Sequence, residues 1–80
     1  MIFVFTGPAK VDGTHIHRDL LIDLAEEAGN TVDTVVSYAT DYVVASSPYF
    51  LNGTGAKLRA AKELGTKVIS PDDFMELMGK

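Results

Sequence analysis

Four short strand-like runs alternate with segments of helical period, and this alternation restricts the fold more than any other feature of the sequence. The runs are Ile2–Phe5, Thr31–Val36, Tyr42–Ala45 and Lys67–Ile69. Ile2–Phe5 is unbroken, aromatic and β-branched, which suits a strand covered on both faces. After it, Pro8 and Asp12-Gly13 mark a loop. A helix follows, starting between Thr14 and Arg18 and stopping at Gly29-Asn30. Its apolar face is Leu21, Leu24, Ala25 and Ala28, with Leu20 at the edge. Ser37–Asp41 reads as a polar turn and 45–54 as the longest irregular segment. Gly55–Leu64 forms a second helix with Leu58, Ala61 and Leu64 on one side, closed by Gly65. Ser70-Pro71-Asp72-Asp73 opens a third: a serine cap, a proline in the first turn, and acids at the positive end of the dipole. Phe74, Leu77 and Met78 supply its apolar face. The order β-α-β-β-α-β-α predicts an α/β domain with a parallel sheet covered on both faces.

Eighty residues, 46% of them apolar, make a single small domain, residues 1–80. A chain of this length buries only roughly 60–65% of its unfolded surface, which leaves little stability to support a large cavity. The absence of cysteine excludes disulfides and thiolate metal sites. Met1–Phe5 has no basic flank and is too short for a signal peptide. No apolar run approaches the ~18 residues of a membrane span. The expected location is intracellular: cytoplasmic in a bacterium or phage, nuclear in a eukaryote. The net charge of −4 argues against broad coating of DNA, which needs many phosphate contacts. A few of Lys10, Arg18, Lys57, Arg59, Lys62 and Lys67 could still converge locally. The acids fall mostly on solvated helix faces.

Patterns that would signal an enzyme or a cofactor are incomplete. Gly53-Thr54-Gly55-Ala56-Lys57-Leu58 is not a P-loop, because the glycine is not adjacent to the lysine and Leu58 cannot ligate magnesium. It lacks the third glycine of a dinucleotide fingerprint. His15 and His17, two apart, do not share a helix face, and no nearby cysteine completes a metal site. Thr40-Asp41 fits a turn bonded to its own backbone. The expectation is a binding module with no catalytic residues, cofactor or metal.

Several features in order carry a resemblance. They are the apolar strand ending in Thr6-Gly7, Arg18 at the start of the first helix, and Gly29 at its end. Then come Val36-Ser37-Tyr38-Ala39-Thr40-Asp41-Tyr42-Val43-Val44, Gly55-Ala56-Lys57 opening the second helix, and Leu64-Gly65-Thr66-Lys67-Val68-Ile69 followed by Phe74. Across essentially its whole length the chain resembles a BRCT domain. It is most similar to the subgroup found at the end of bacterial NAD-dependent DNA ligases and in the large subunit of replication factor C. The resemblance implies a three-layer fold: a four-stranded parallel sheet in order 2-1-3-4, with two helices on one face and one on the other. The chain departs from the family pattern at Gly29-Asn30, where a glycine pair is usual, and at Ala56, where serine is common. It also has a longer loop before Gly55.

In related domains the strand-ending Thr-Gly, the helix-start Arg and the Lys of the second helix hold a phosphate. The resemblance therefore assigns Thr6, Gly7, Arg18 and Lys57 to a phosphate or DNA site. Residue chemistry agrees. Thr6 offers a hydroxyl, Gly7 lets an anion approach the main chain, and a helix start exposes free N–H groups. Lys57 adds a point charge and Arg18 a planar fork. Taken singly, each residue also fits a plain turn or a solvated helix-end charge. The expected partner is a DNA end bearing a 5′ phosphate, in replication or repair. The alternatives are a phosphopeptide, another BRCT surface, or self-association. Tyr49-Phe50-Leu51 could fold onto the core, form a partner surface, or stack a terminal base. The chain reads equally as a complete small protein or as a segment of a ligase-like parent whose nucleotide chemistry lies elsewhere.

Overall fold

Phe3 and Phe5 point to one side of the first strand and Val4 to the other, and all three are buried. That alternation with both faces covered sets the layers of the molecule. The computed structural model describes residues 1–7, 9–45 and 56–79. Over these residues the elements are β1 (Ile2–Phe5), β2 (Ala9–Val11), β3 (Thr14–Ile16), α1 (Arg18–Glu27), β4 (Thr31–Asp33), β5 (Tyr42–Val44), α2 (Ala56–Leu64), β6 (Lys67–Ile69) and α3 (Pro71–Leu77). The main sheet has the order β4-β1-β5-β6. All its pairings are parallel, with Phe3 beside Val32 and Tyr42, and Val43 beside Val68. Counting only these strands, the order is 2-1-3-4, as the family resemblance implies.

The two faces of the sheet hold separate cores. On one side Phe3, Phe5, Val44 and Ile69 meet Leu21 and Ala25 of α1 and Phe74 of α3. On the other, Val4, Val43 and Ala45 meet Val36 and the α2 residues Leu58 and Ala61. Phe74 is fully buried, and its ring centroid lies 5.2 Å from those of Phe3 and Phe5, edge-on to both. This is a favoured aromatic geometry.

The helix boundaries follow local chemistry. At the end of α1, Gly29 N–H donates to the Glu26 carbonyl and Asn30 N–H to the Ala25 carbonyl, the paired bonds of a Schellman stop. At the start of α3, Asp73 N–H donates to Ser70 Oγ at 3.0 Å and Ser70 N–H to Asp73 Oδ2 at 3.4 Å, a complete capping box. Ser70→Ala should therefore lower the unfolding free energy by about 1 kcal/mol. Urea titration would read this as a lower midpoint with an unchanged slope.

Four expectations are corrected. The segment after Pro8, read as a loop, contains the antiparallel hairpin β2–β3. Asp12 (φ 52°) and Gly13 (φ 77°) both have positive φ, as a two-residue type I′ turn requires, and Asp-Gly is a favoured pair there. The hairpin is tied to α3 by Asp12 N–H, which donates to Asp72 Oδ1 at 3.0 Å. Second, Ala28 is exposed, because α1 ends at Glu27 and Ala28 already belongs to the cap. Third, Leu77 is 45% exposed, and Met75 packs against the core in its place. The second strand also stops earlier than expected, at Asp33, where its register with β1 ends at Val4.

At the end of the sheet where β1 begins, Asn30 joins the two ends of the described chain. The Met1 ammonium donates to Asn30 Oδ1 at 3.0 Å, and Asn30 Nδ2 approaches Met78 Sδ at 3.8 Å. No helix among the described residues is long and apolar enough to cross a membrane.

Candidate phosphate-binding site

The central strand β1 ends between two helical layers, and a cation reaches it from each. From α2, Lys57 Nζ donates to the Phe5 carbonyl at 3.2 Å. From α1, Arg18 Nη1 approaches the Gly7 carbonyl at 3.5 Å. The two carbonyls flank Thr6, whose own N–H donates to the Val44 carbonyl at 3.0 Å and so continues the sheet by one bond. Gly7 then turns the chain with φ 75°, a left-handed conformation that a residue with a Cβ adopts at a cost.

Phe5, Thr6, Gly7, Arg18, Leu21, Val44 and Pro71 line a shallow surface crease, or notch. Its interior is too narrow for water. Each cation uses one donor on a main-chain oxygen. A lysine ammonium has three donors and a guanidinium five, so both retain donors for a second acceptor. Three of the four residues expected at the site, Thr6, Gly7 and Arg18, share the notch. Lys57 reaches the same strand end from the opposite layer. Tyr49, Phe50 and Leu51 lie outside the described residues.

The other residues weighed from sequence are not among those lining the notch. His17 precedes α1 without a side-chain cap bond; it is exposed and 4.0 Å from Asp19. His15 is exposed on β3. Among the described residues no three His, Cys, Asp or Glu side chains gather in a metal-binding group. Thr40 is buried, and its Oγ1 accepts from Ser37 N–H at 2.9 Å, the expected bond within the turn. Asp41 instead reaches across to β1, accepting from Ile2 N–H at 2.6 Å. The same connection exposes Val35 (69%) and Tyr38 (92%). The sequence places Val35 in the second strand and Tyr38 in a polar turn, and neither reading marks an outward apolar side.

Charge is divided between the layers. The exposed acids of α1 are Asp19, Asp23, Glu26 and Glu27, and α3 adds Asp72, Asp73 and Glu76 on the same side of the sheet. On the opposite layer, α2 carries Lys57, Arg59 and Lys62 against Glu63.

Sheet order, helix placement and this notch define a small α/β module with a doubly covered parallel sheet. The chain belongs to the BRCT family: the family model described as the BRCA1 C Terminus (BRCT) domain matches residues 1–78. It is 41% identical over 76 residues to a DNA ligase of Citrifermentans bemidjiense, an alignment covering 95% of this chain and 10% of that protein. A DNA ligase of Trichlorobacter lovleyi is 41% identical over 78 residues, covering 98% of this chain and 10% of the ligase. One from Bradyrhizobium is 38% identical over 77 residues, with 96% and 10% covered. The chain thus spans about a tenth of the length of these curated relatives.

Proposed function

We propose that this domain is a non-catalytic DNA-binding module of replication or repair that recognises a terminal phosphate, specifically a 5′ phosphate. One observation carries the reading: Lys57 and Arg18, from opposite layers, converge on the carbonyls either side of Thr6. Thr6 and Gly7 lie between these two carbonyls in the chain, and a hydroxyl and an unobstructed main chain there suit an anion. A lone dianion needs few cations, which reconciles the site with a chain of net charge −4. The relatives are DNA ligases, and the domain would hold DNA within such a protein rather than seal it.

The test uses two duplexes of identical sequence, one with and one without the 5′ phosphate. The phosphorylated duplex should bind more tightly by about tenfold or more, since one or two charge-assisted hydrogen bonds contribute ~1.5–3 kcal/mol each. Equal affinities would remove the reading. The exposed Val35 and Tyr38 favour a second reading, a module that contacts protein. Equal affinity for the duplexes, together with binding of a phosphoserine peptide, would select it.

A further inference from the structure

We infer that the exposed side of α2, carrying Arg59 and Lys62, is the surface along which the DNA backbone runs on from the terminal phosphate. This deepens the proposed function and rests on it. The phosphate notch accounts for Lys57 and Arg18 but leaves these two cations unused. Arg59 and Lys62 are both exposed, three residues apart on a helix whose Leu58 and Ala61 are buried. Side chains at that spacing are neighbours on a helix surface. They face outward together with Glu63, whereas Lys57, two residues before Arg59, is turned toward the strand end and its Phe5 carbonyl.

The division of charge selects this side for DNA. A duplex carries one negative charge per ~1.7 Å of axis. Laid over α1 and α3 it would meet the carboxylates of both helices with Arg18 as the main counter-charge. Over the outward side of α2 it would meet Arg59 and Lys62, with Glu63 the one acid of that helix. The Cα extents are 30 × 27 × 17 Å, so even the thinnest dimension is about twice the ~8 Å screening length of physiological salt. The acidic layer therefore does little to repel DNA held on the opposite side. Net charge −4 and a local basic surface coexist for this reason.

The experiment titrates the two duplexes, with and without the 5′ phosphate, against the wild-type domain and three variants at several salt concentrations. The variants are the double substitution Arg59→Gln/Lys62→Gln, the single Arg59→Glu, and Lys67→Glu. Lys67 lies on β6 and lines the groove beneath α3, so it matches the charge change of Arg59→Glu on the other side of the sheet. Glutamine is well tolerated in helices, and circular dichroism verifies the fold. The expected result is weaker binding of both duplexes by the double variant, by the same factor, on the order of tenfold at moderate salt. The slope of log K against log salt should fall by about 1.8, and the phosphate preference should persist. Arg59→Glu should weaken binding more than Lys67→Glu. The inference is overturned if the double variant binds like wild type, or if Lys67→Glu is as damaging as Arg59→Glu. A wild-type domain with no phosphate preference, combined with the reduced slope in the double variant, would discard the notch and uphold the track. A wild-type domain that binds neither duplex overturns both.

Discussion

Phe74→Ala should lower the melting temperature by on the order of 12–40 °C. Truncating a buried phenylalanine costs about 3–5 kcal/mol, and each kcal/mol shifts the midpoint of a domain this size by about 4–8 °C. The cost should lie at the high end of that range. Phe74 is fully buried and edge-on to both Phe3 and Phe5 at 5.2 Å, so its loss removes the contact through which α3 holds the central strand. Two-state domains of this length have roughly 4–12 kcal/mol in total, so a large unfolded fraction at 37 °C is expected. Phe74→Leu, which keeps most of the volume, should recover part of the loss. Thermal melts followed by circular dichroism check both variants. A fall of only a few degrees for the alanine variant would mean that α3 is not anchored through this ring.

Lys57→Ala and Arg18→Ala should each weaken binding of the 5′-phosphorylated duplex by about 10- to 150-fold, equivalent to the ~1.5–3 kcal/mol of a charged hydrogen bond. Most of the loss should be confined to that duplex, so the ratio between phosphorylated and unphosphorylated affinities falls towards one. The substitutions at Arg59 and Lys62 should leave that ratio intact. Arg18→Lys separates charge from geometry: it keeps the cation and loses the fork, and should recover only part of the affinity. Stability should change little for Arg18, which is exposed and makes one long contact to Gly7. Lys57→Ala removes a 3.2 Å bond to Phe5 and should cost about 1 kcal/mol. If Lys57→Ala retains the full phosphate preference in a folded domain, the site is not at this strand end.

The fold was readable where one stretch of sequence carries several independent signals. Ser70-Pro71-Asp72-Asp73 combines a cap, a proline and two acids, and the helix begins there. Lys67–Ile69 is bounded by Gly65 and Ser70, and the strand has those limits. The hairpin leaves no periodic signal in the sequence, because its strands are three residues each, too short to show a period of two. The Asp-Gly turn between them was the available signal. Ala28 and Leu77 show a different limit. A helical period gives the direction of an apolar face but not how far the neighbouring layer extends to cover it. Of the candidate site, the family's spacing picked out Thr6, Gly7, Arg18 and Lys57. The opposed approach of the two cations to the carbonyls beside Thr6 depends on which layer each helix joins, and that is a property of the sheet order.

The bonds of Asn30 to Met1 and toward Met78 bear on how the domain can be attached to other things. Pro71, at the start of α3, lines the notch, whereas Met78, past its end, meets Asn30 beside the start of β1. Both ends of the described chain therefore emerge together, at the pole of the molecule away from Thr6. A tag, a surface anchor or a neighbouring domain fused at either end would leave the strand end unobstructed. Neighbouring ends also favour circular permutation: a short linker could join them and new ends be opened at the Asp12-Gly13 turn, leaving the sheet order unchanged.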